Sequence, residues 1–314
     1  MIVDSHVVLA SDRVIPREYL EEQATNMHHR LRAHGRDVGL GPVTDRLLAL
    51  HSDHDGDRLV AEMDSAGVSL AFLVAADFSH VSPRALPPAE LARLHAAVCR
   101  RHPGRFRVFW GVDPRAGPDG PALFERHVTD HGFAGMKLYP PAGYSPSDRR
   151  LYPYYEICAA RGLPVLTHTG PGWAPLDFTL GPPLLVDQAA RDFPGVDFVL
   201  GHGGVTHVEE ASYLCAHRPN VYLDVSQFPA MLAAEGWAEH LNRLFRSGIS
   251  HKILFGTCWP SFRMSTSLPA VLSAFTPDAV FAGVRPSVQK MIMATTALRL
   301  VGDSVAAVTP GGHQ

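Results

Sequence analysis

Cysteine is scarce in this chain. Four residues, Cys99, Cys158, Cys215 and Cys258, are scattered over 314 positions with no Cys-x-x-Cys pair, which argues against a disulfide-stapled scaffold and a zinc ribbon. A reducing cytosol is the compartment this usage fits. No apolar run reaches the roughly 18 residues that a membrane-spanning helix needs. The opening MIVDSHVVLA lacks the basic start of a secretory signal and is broken by Asp4 and His6, so none is expected. An excess of one charge is missing too: 28 Lys and Arg face 31 Asp and Glu, a formal net charge of -3. Without a basic field to draw nucleic acid or an anionic membrane, the expected partner is a small-molecule substrate. A homo-oligomer stays open.

What is present is apolar material: 46% of residues are hydrophobic and 19% charged, enough for a large buried core and unlike a disordered chain. Short β-rich runs alternate with longer helical patterns, the mark of βα units on a parallel sheet. Eight such runs can be read, at 2–6, 69–75, 106–112, 135–139, 164–168, 197–202, 221–226 and 252–258. Helical patterns follow, among them 89–101, 121–131, 149–161, 184–193 and a closing helix at 284–300. From the second run onward the starts lie 24 to 37 residues apart, about one βαβ repeat each. Eight repeats point to a (β/α)8 barrel. A doubly wound sheet would normally carry a Gly-rich loop after its first strand, and none follows His6. One domain over 1–302 is the economical reading, with a frayed tail over 303–314. More than 60 residues separate the first two runs, far beyond an ordinary βα connection. The excess, about 10–57, leaves the C-terminal end of strand one and is expected to cap the mouth. It holds a helix over 17–33 and a polar stretch, His51 to Asp57, in which Asp53 to Asp57, Asp55 or Asp57 among them, would supply caps for a helix starting near Arg58.

In a barrel the chemistry sits at the C-terminal strand ends. These ends offer His6, Lys137, His168, His202, Asp224 or Ser226, and Cys258. The stretches GMKLYPPAGYSP, PYYEICAARGLPVLTHTGPG, FVLGHGG and ILFGTCWP, in that order, resemble the amidohydrolase-related family, family two of the amidohydrolase superfamily. The resemblance runs from Val3-Asp4-Ser5-His6 to the last helix. It implies a (β/α)8 barrel and a metal-dependent hydrolase or nonoxidative decarboxylase, usually with one zinc or similar ion. It also implies that His168 is a metal ligand, that His202 orients or deprotonates the attacking water, and that Lys137 lies near the substrate.

Two departures weigh on that picture. Where the family ends strand one with His-x-His, this chain has Val8 after His6, and an isopropyl group donates no lone pair. Where the family has Gly-Thr-Asp at strand eight, this chain reads Gly256-Thr257-Cys258. A lesser departure is Thr295-Thr296-Ala297, where many relatives place Asn before Ala. Three readings of Cys258 stay open. It is a soft third zinc ligand with His6 and His168, or a nucleophile activated by a neighbouring histidine in a metal-free site, or an inert buried thiol. The expected activity is hydrolysis or decarboxylation of a small, partly aromatic or carboxylated molecule, with His202 as general base. A barrel that has lost catalysis and binds a ligand is the alternative. Tyr139, Trp173, Phe228 and Trp259 follow strands four, five, seven and eight and are the expected substrate contacts, with Lys137 holding substrate charge.

Overall fold

The computed structural model describes residues 1–233 and 236–303. Eight strands form one parallel sheet in sequence order: β1 (Ile2–Val7), β2 (Val68–Ala75), β3 (Phe106–Gly111), β4 (Gly135–Leu138), β5 (Val165–His168), β6 (Phe198–Gly201), β7 (Val221–Asp224) and β8 (Ile253–Leu254). The seam closes where Ser5 N–H donates to Phe255 O at 2.9 Å, Cys258 N–H to His6 O at 2.8 Å and Val8 N–H to Trp259 O at 2.9 Å. The sheet is thus a nearly closed TIM barrel, as the spacing of the apolar runs predicts. Between β1 and β2 lie α1 (Arg17–Ala33), α2 (Leu40–Leu50) and α3 (Asp57–Ala66). The remaining helices are α4 (Pro88–Arg101), α5 (Gly120–His131), α6 (Tyr152–Arg161), α7 (Asp187–Asp192), α8 (Val208–His217), α9 (Phe228–Met231), α10 (Trp237–Phe245), α11 (Leu268–Leu272), α12 (Pro286–Lys290) and α13 (Thr296–Leu300).

Branched and aromatic side chains fill the barrel. Val3, Leu70, Phe72, Val74, Phe109, Leu166, Val199, Tyr222 and Leu254 form one buried cluster, joined by Ala294, Ala297, Leu298 and Leu300 of the last helix. Filling the lumen this way leaves chemistry to the strand ends. The eighth strand is shorter than its apolar run suggests. After Leu254 the Phe255 N–H turns from β7 to the Ile292 carbonyl, 3.0 Å away, in a π-helical turn at Met291–Thr295. Residues 255–258 are therefore held by β1 and the last helix.

One detail of the 10–57 stretch departs from expectation, the helix α2, which no pattern in the sequence announces. The caps of α3 come from the expected polar stretch, chiefly Asp53, while Asp55 accepts the Asp57 N–H at 3.4 Å. The Asp53 carboxylate accepts from Arg58 N–H at 3.1 Å and Leu59 N–H at 2.9 Å, satisfying amide groups that have no partner inside the helix. Of the tail read as frayed, only Asp303 lies within the described residues, and its carboxylate pairs with Arg107 at 2.7 Å.

Candidate active site

Strand ends bring His6, Lys137, His168, His202 and Cys258 to the wall of one cavity of about 650 Å³. All five are buried. The pleat explains part of this. His6 and Val8, two residues apart on the first strand and its extension, both line the cavity. Residues of the inserted stretch, among them Val14, Gln23, Asn26, Arg30 and Leu47, line the same space.

Asp224 at the end of β7 organises two of the imidazoles. Its Oδ2 lies 2.7 Å from His6 Nδ1, and its Oδ1 accepts from the His202 N–H at 2.7 Å and the Ser226 N–H at 3.0 Å. The Ser226 hydroxyl donates to the same Oδ1 and lies 2.7 Å from His202 Nδ1. Asp4 does similar work on the other side. It accepts from Thr257 N–H at 3.0 Å and Thr257 Oγ1 at 2.6 Å, pinning the turn that presents Cys258. Close packing demands small residues here: a Cβ on Gly201 would sit 3.0 Å from His6 Cε1, and one on Gly256 3.2 Å from both His6 Cβ and Ser226 Cβ.

His202 (φ 68°) and Cys258 (φ 58°) occupy the left-handed region. For non-glycine residues that costs on the order of 1 kcal/mol or more and clusters at functional sites. Hydrogen bonds hold both: His202 N–H to Asp224, and Cys258 N–H to His6 O. The outcome is a compact donor set. The ligand atoms of His6, His202 and Cys258 all lie within 4.8 Å of one another. His168, expected beside His6 and Cys258, is not in that group. Its Nε2 lies 3.0 Å from the Pro171 carbonyl, and its ring meets His202 edge-on at 4.8 Å between centroids. His202 takes the inner place because its ring stacks on His6 at 4.5 Å.

Electrostatics follow from burial. Desolvation pushes His168 down to about 3 and His202 well below the usual imidazole range, so both are neutral. His6 is lowered by burial too, against the pull of Asp224. For Asp224 burial raises the carboxyl, but the charge and hydrogen bonds of His6, with those of Ser226 and the His202 N–H, outweigh it and hold it below its ordinary value. Burial brings Lys137 down to about 7, although Asp224 and Cys258 oppose this. Its Nζ has no hydrogen-bond partner among the described residues. The Cys258 thiol is pushed up to about 12, chiefly by burial.

Tyr139 and Trp173 line the cavity as expected. Phe228 and Trp259 do not, which corrects their reading as substrate contacts. Both are fully buried. Phe228 packs on Trp237, Phe255 and Phe275, and Trp259 donates its indole N–H to Glu62 at 3.0 Å. Sequence reasoning undervalued Asp224 and Ser226, whose period-two spacing at a strand end was the available signal. It missed the α1 residues Gln23, Asn26 and Arg30 altogether.

The donor chemistry suits a borderline-soft ion such as zinc: two imidazoles whose Nδ1 atoms are engaged elsewhere, one thiol, and room for a fourth group. A family model described as Amidohydrolase matches residues 55–302. The chain belongs to the amidohydrolase family. A curated relative, Protein fluG of Emericella nidulans, is 30% identical over 94 residues. That match spans 30% of this chain and only 11% of the relative's length. Among solved structures, a TIM-barrel protein, Bb4693, from Bordetella bronchiseptica is 23% identical with a TM-score of 0.68, covering 96% of this chain and 98% of that one. The 5-carboxyvanillate decarboxylase LigW from Sphingomonas paucimobilis is 18% identical with a TM-score of 0.62, over 96% and 99%. At these identities the likeness concerns the fold. No helix among the described residues is long and apolar enough to cross a membrane.

Proposed function

We propose that this amidohydrolase is a zinc-assisted hydrolase or decarboxylase of a small anionic molecule with an apolar ring or chain. The observation that carries the reading is the tight His6, His202 and Cys258 set opening into the cavity that also holds the unpaired Lys137 amine. These three side chains would hold the metal, with His202 a ligand rather than the general base. Zinc there would supply Lewis acidity that polarises a substrate carbonyl or carboxylate.

The rest is the work of the chain's own residues. No Asp or Glu is found among the residues that line the cavity, whereas Lys137 and Arg30 are. A buried amine with no hydrogen-bond acceptor, and with Asp224 too far to pair with it directly, invites an anion: a substrate carboxylate restores its ammonium form and satisfies its donors. Val8, Val14, Val74, Phe78 and Phe262 offer the apolar middle. Gln23, Asn26 and Arg30, at i, i+3 and i+7 on α1, present polar groups from the inserted stretch, which we read as a cap over the mouth. His168 stays neutral against Tyr139, ring centroids 4.5 Å apart. A metal-free thiolate mechanism is not favoured, because a thiol held near 12 is protonated at neutral pH.

Elemental analysis of protein purified without chelator tests this, beside a Cys258→Ala variant. About one zinc per chain, largely lost in the variant, is the expected result. Full activity in protein shown to contain no metal overturns the reading.

A further inference from the structure

The two candidate imidazole ligands share one orienting system, and its proton count fixes how they are protonated. Asp224 Oδ2 accepts from His6 Nδ1 at 2.7 Å, since the other oxygen of the same group already takes three donors, the His202 N–H, the Ser226 N–H and the Ser226 hydroxyl, as an ionised carboxylate does. That leaves the His6 proton on Nδ1 and a lone pair on Nε2. Ser226 has a single hydroxyl proton, and it is donated to Asp224 Oδ1. The hydroxyl oxygen can then only accept, from His202 Nδ1 at 2.7 Å and, at the longer 3.1 Å, from His6 Nδ1, whose nearer acceptor is Asp224. So the His202 proton is on Nδ1 as well, and its lone pair is on Nε2.

We infer that Asp224 and Ser226 are positioning residues that act together, setting both His6 and His202 in the Nδ1–H tautomer and presenting both Nε2 lone pairs to the ion before it arrives. The relay extends to the backbone. Asp224 Oδ1 also accepts the His202 N–H at 2.7 Å, holding that residue in the left-handed conformation that brings its ring over His6. One strand end thus controls ring stacking, tautomer and backbone at two ligands contributed by other strands. Outer partners of this kind typically change metal affinity about 10- to 100-fold when removed. The reading rests on the metal site proposed above, but the tautomers themselves are a property of the metal-free protein.

The test is long-range nitrogen–proton correlation on protein with 15N-labelled histidine, stripped of metal with chelator, beside zinc titration against a competing chelator. Wild-type protein is expected to show His6 and His202 as Nδ1–H, the minor form of free neutral histidine in water. In Ser226→Ala the His202 signals should move toward Nε2–H while His6 keeps its own, and zinc affinity should fall about 10- to 100-fold. Asp224→Asn should disturb both rings. Ser226→Ala removes one buried oxygen and keeps the question answerable if the Asp224 variant does not fold. Nδ1–H tautomers that depend on Ser226 in a protein binding no zinc would sustain the relay and sink the metal proposal. Wild-type His202 in the Nε2–H form, or Ser226→Ala unchanged in both tautomer and affinity, would overturn the relay.

Discussion

Replacing Lys137 with methionine should make the metal-free protein more stable at neutral pH and worse at binding anions. The lysine is 2% exposed and its Nζ has no hydrogen-bond partner among the described residues. Burial takes its pKa from 10.5 to about 7, and at roughly 1.4 kcal/mol per pH unit that is a penalty of about 5 kcal/mol for the folded chain. Local relaxation and water entry reduce what is recovered, so a gain of about 2–5 kcal/mol is expected from the near-isosteric methionine. The sign with pH is fixed. Between about pH 7 and 10.5 the unfolded chain holds more protons at this site than the folded one, so wild-type stability climbs as pH rises and is lost as pH falls through that window. The methionine variant lacks this climb, and its advantage should be greatest near pH 7 and fade toward pH 10. Other titrating groups are common to both proteins and largely cancel in the difference. Urea unfolding at pH 7 and pH 9.5, in chelator, measures it, with benzoate as the binding probe. An advantage that does not change with pH, or a variant less stable at pH 7 that still binds benzoate, would refute the argument that Lys137 is a buried, unbonded amine awaiting an anion.

The barrel was legible because each strand is a short apolar run bounded by breakers, and seven of the eight runs match their strands within a residue or two. The eighth run, 252–258, misleads for a physical reason. After Leu254 the backbone bonds to the last helix and to β1 while the Phe255 ring is buried against Phe228 and Phe275, and burial outside a strand looks like burial within one from the sequence alone. Lines of approach to the site were legible as well, since polar residues at strand ends stand out from apolar interiors. Which of them meet was not. The choice of His202 over His168 as partner to His6 and Cys258 depends on a left-handed backbone at His202, imposed by a carboxylate 22 positions further on. The bond of Asp224 to His6 spans 218 positions, and nothing local to either residue announces it. Phe228 and Trp259 failed similarly: being just past a strand places a ring near the mouth, but not facing it.

Three further outcomes follow from the site, and then one from strand one. Cobalt-loaded protein should show a thiolate-to-metal charge-transfer band that disappears in Cys258→Ser; a spectrum indifferent to that change removes Cys258 from the ligand set. In metal-free protein iodoacetamide should modify Cys258 slowly at pH 7, because its thiol is held near 12, and rapid alkylation would contradict that environment. Phe228→Ala should cost about 3–5 kcal/mol of stability, as for other fully buried aromatics, while leaving KM unchanged; a large KM effect would return the ring to the substrate. The remaining prediction concerns Val8, where the family's second histidine is missing. The pairing of β1 with β2 shifts register between Asp4 and Val7, so simple alternation does not guarantee that residue 8 follows residue 6. Yet both side chains reach the cavity, and the Val8 N–H is tied to Trp259 O at 2.9 Å, which fixes the backbone beside the turn carrying Cys258. A histidine introduced there starts from a rigid position next to two existing donors and loses little freedom on binding. Val8→His should therefore tighten zinc by about tenfold or more, near 1.4 kcal/mol, in competition with a chelator, with the gain persisting in Val8→His combined with Cys258→Asp. Affinity unchanged in both variants would mean that the mouth has been reshaped around an apolar wall at Val8, and that the loss of the second histidine cannot be reversed by its side chain alone.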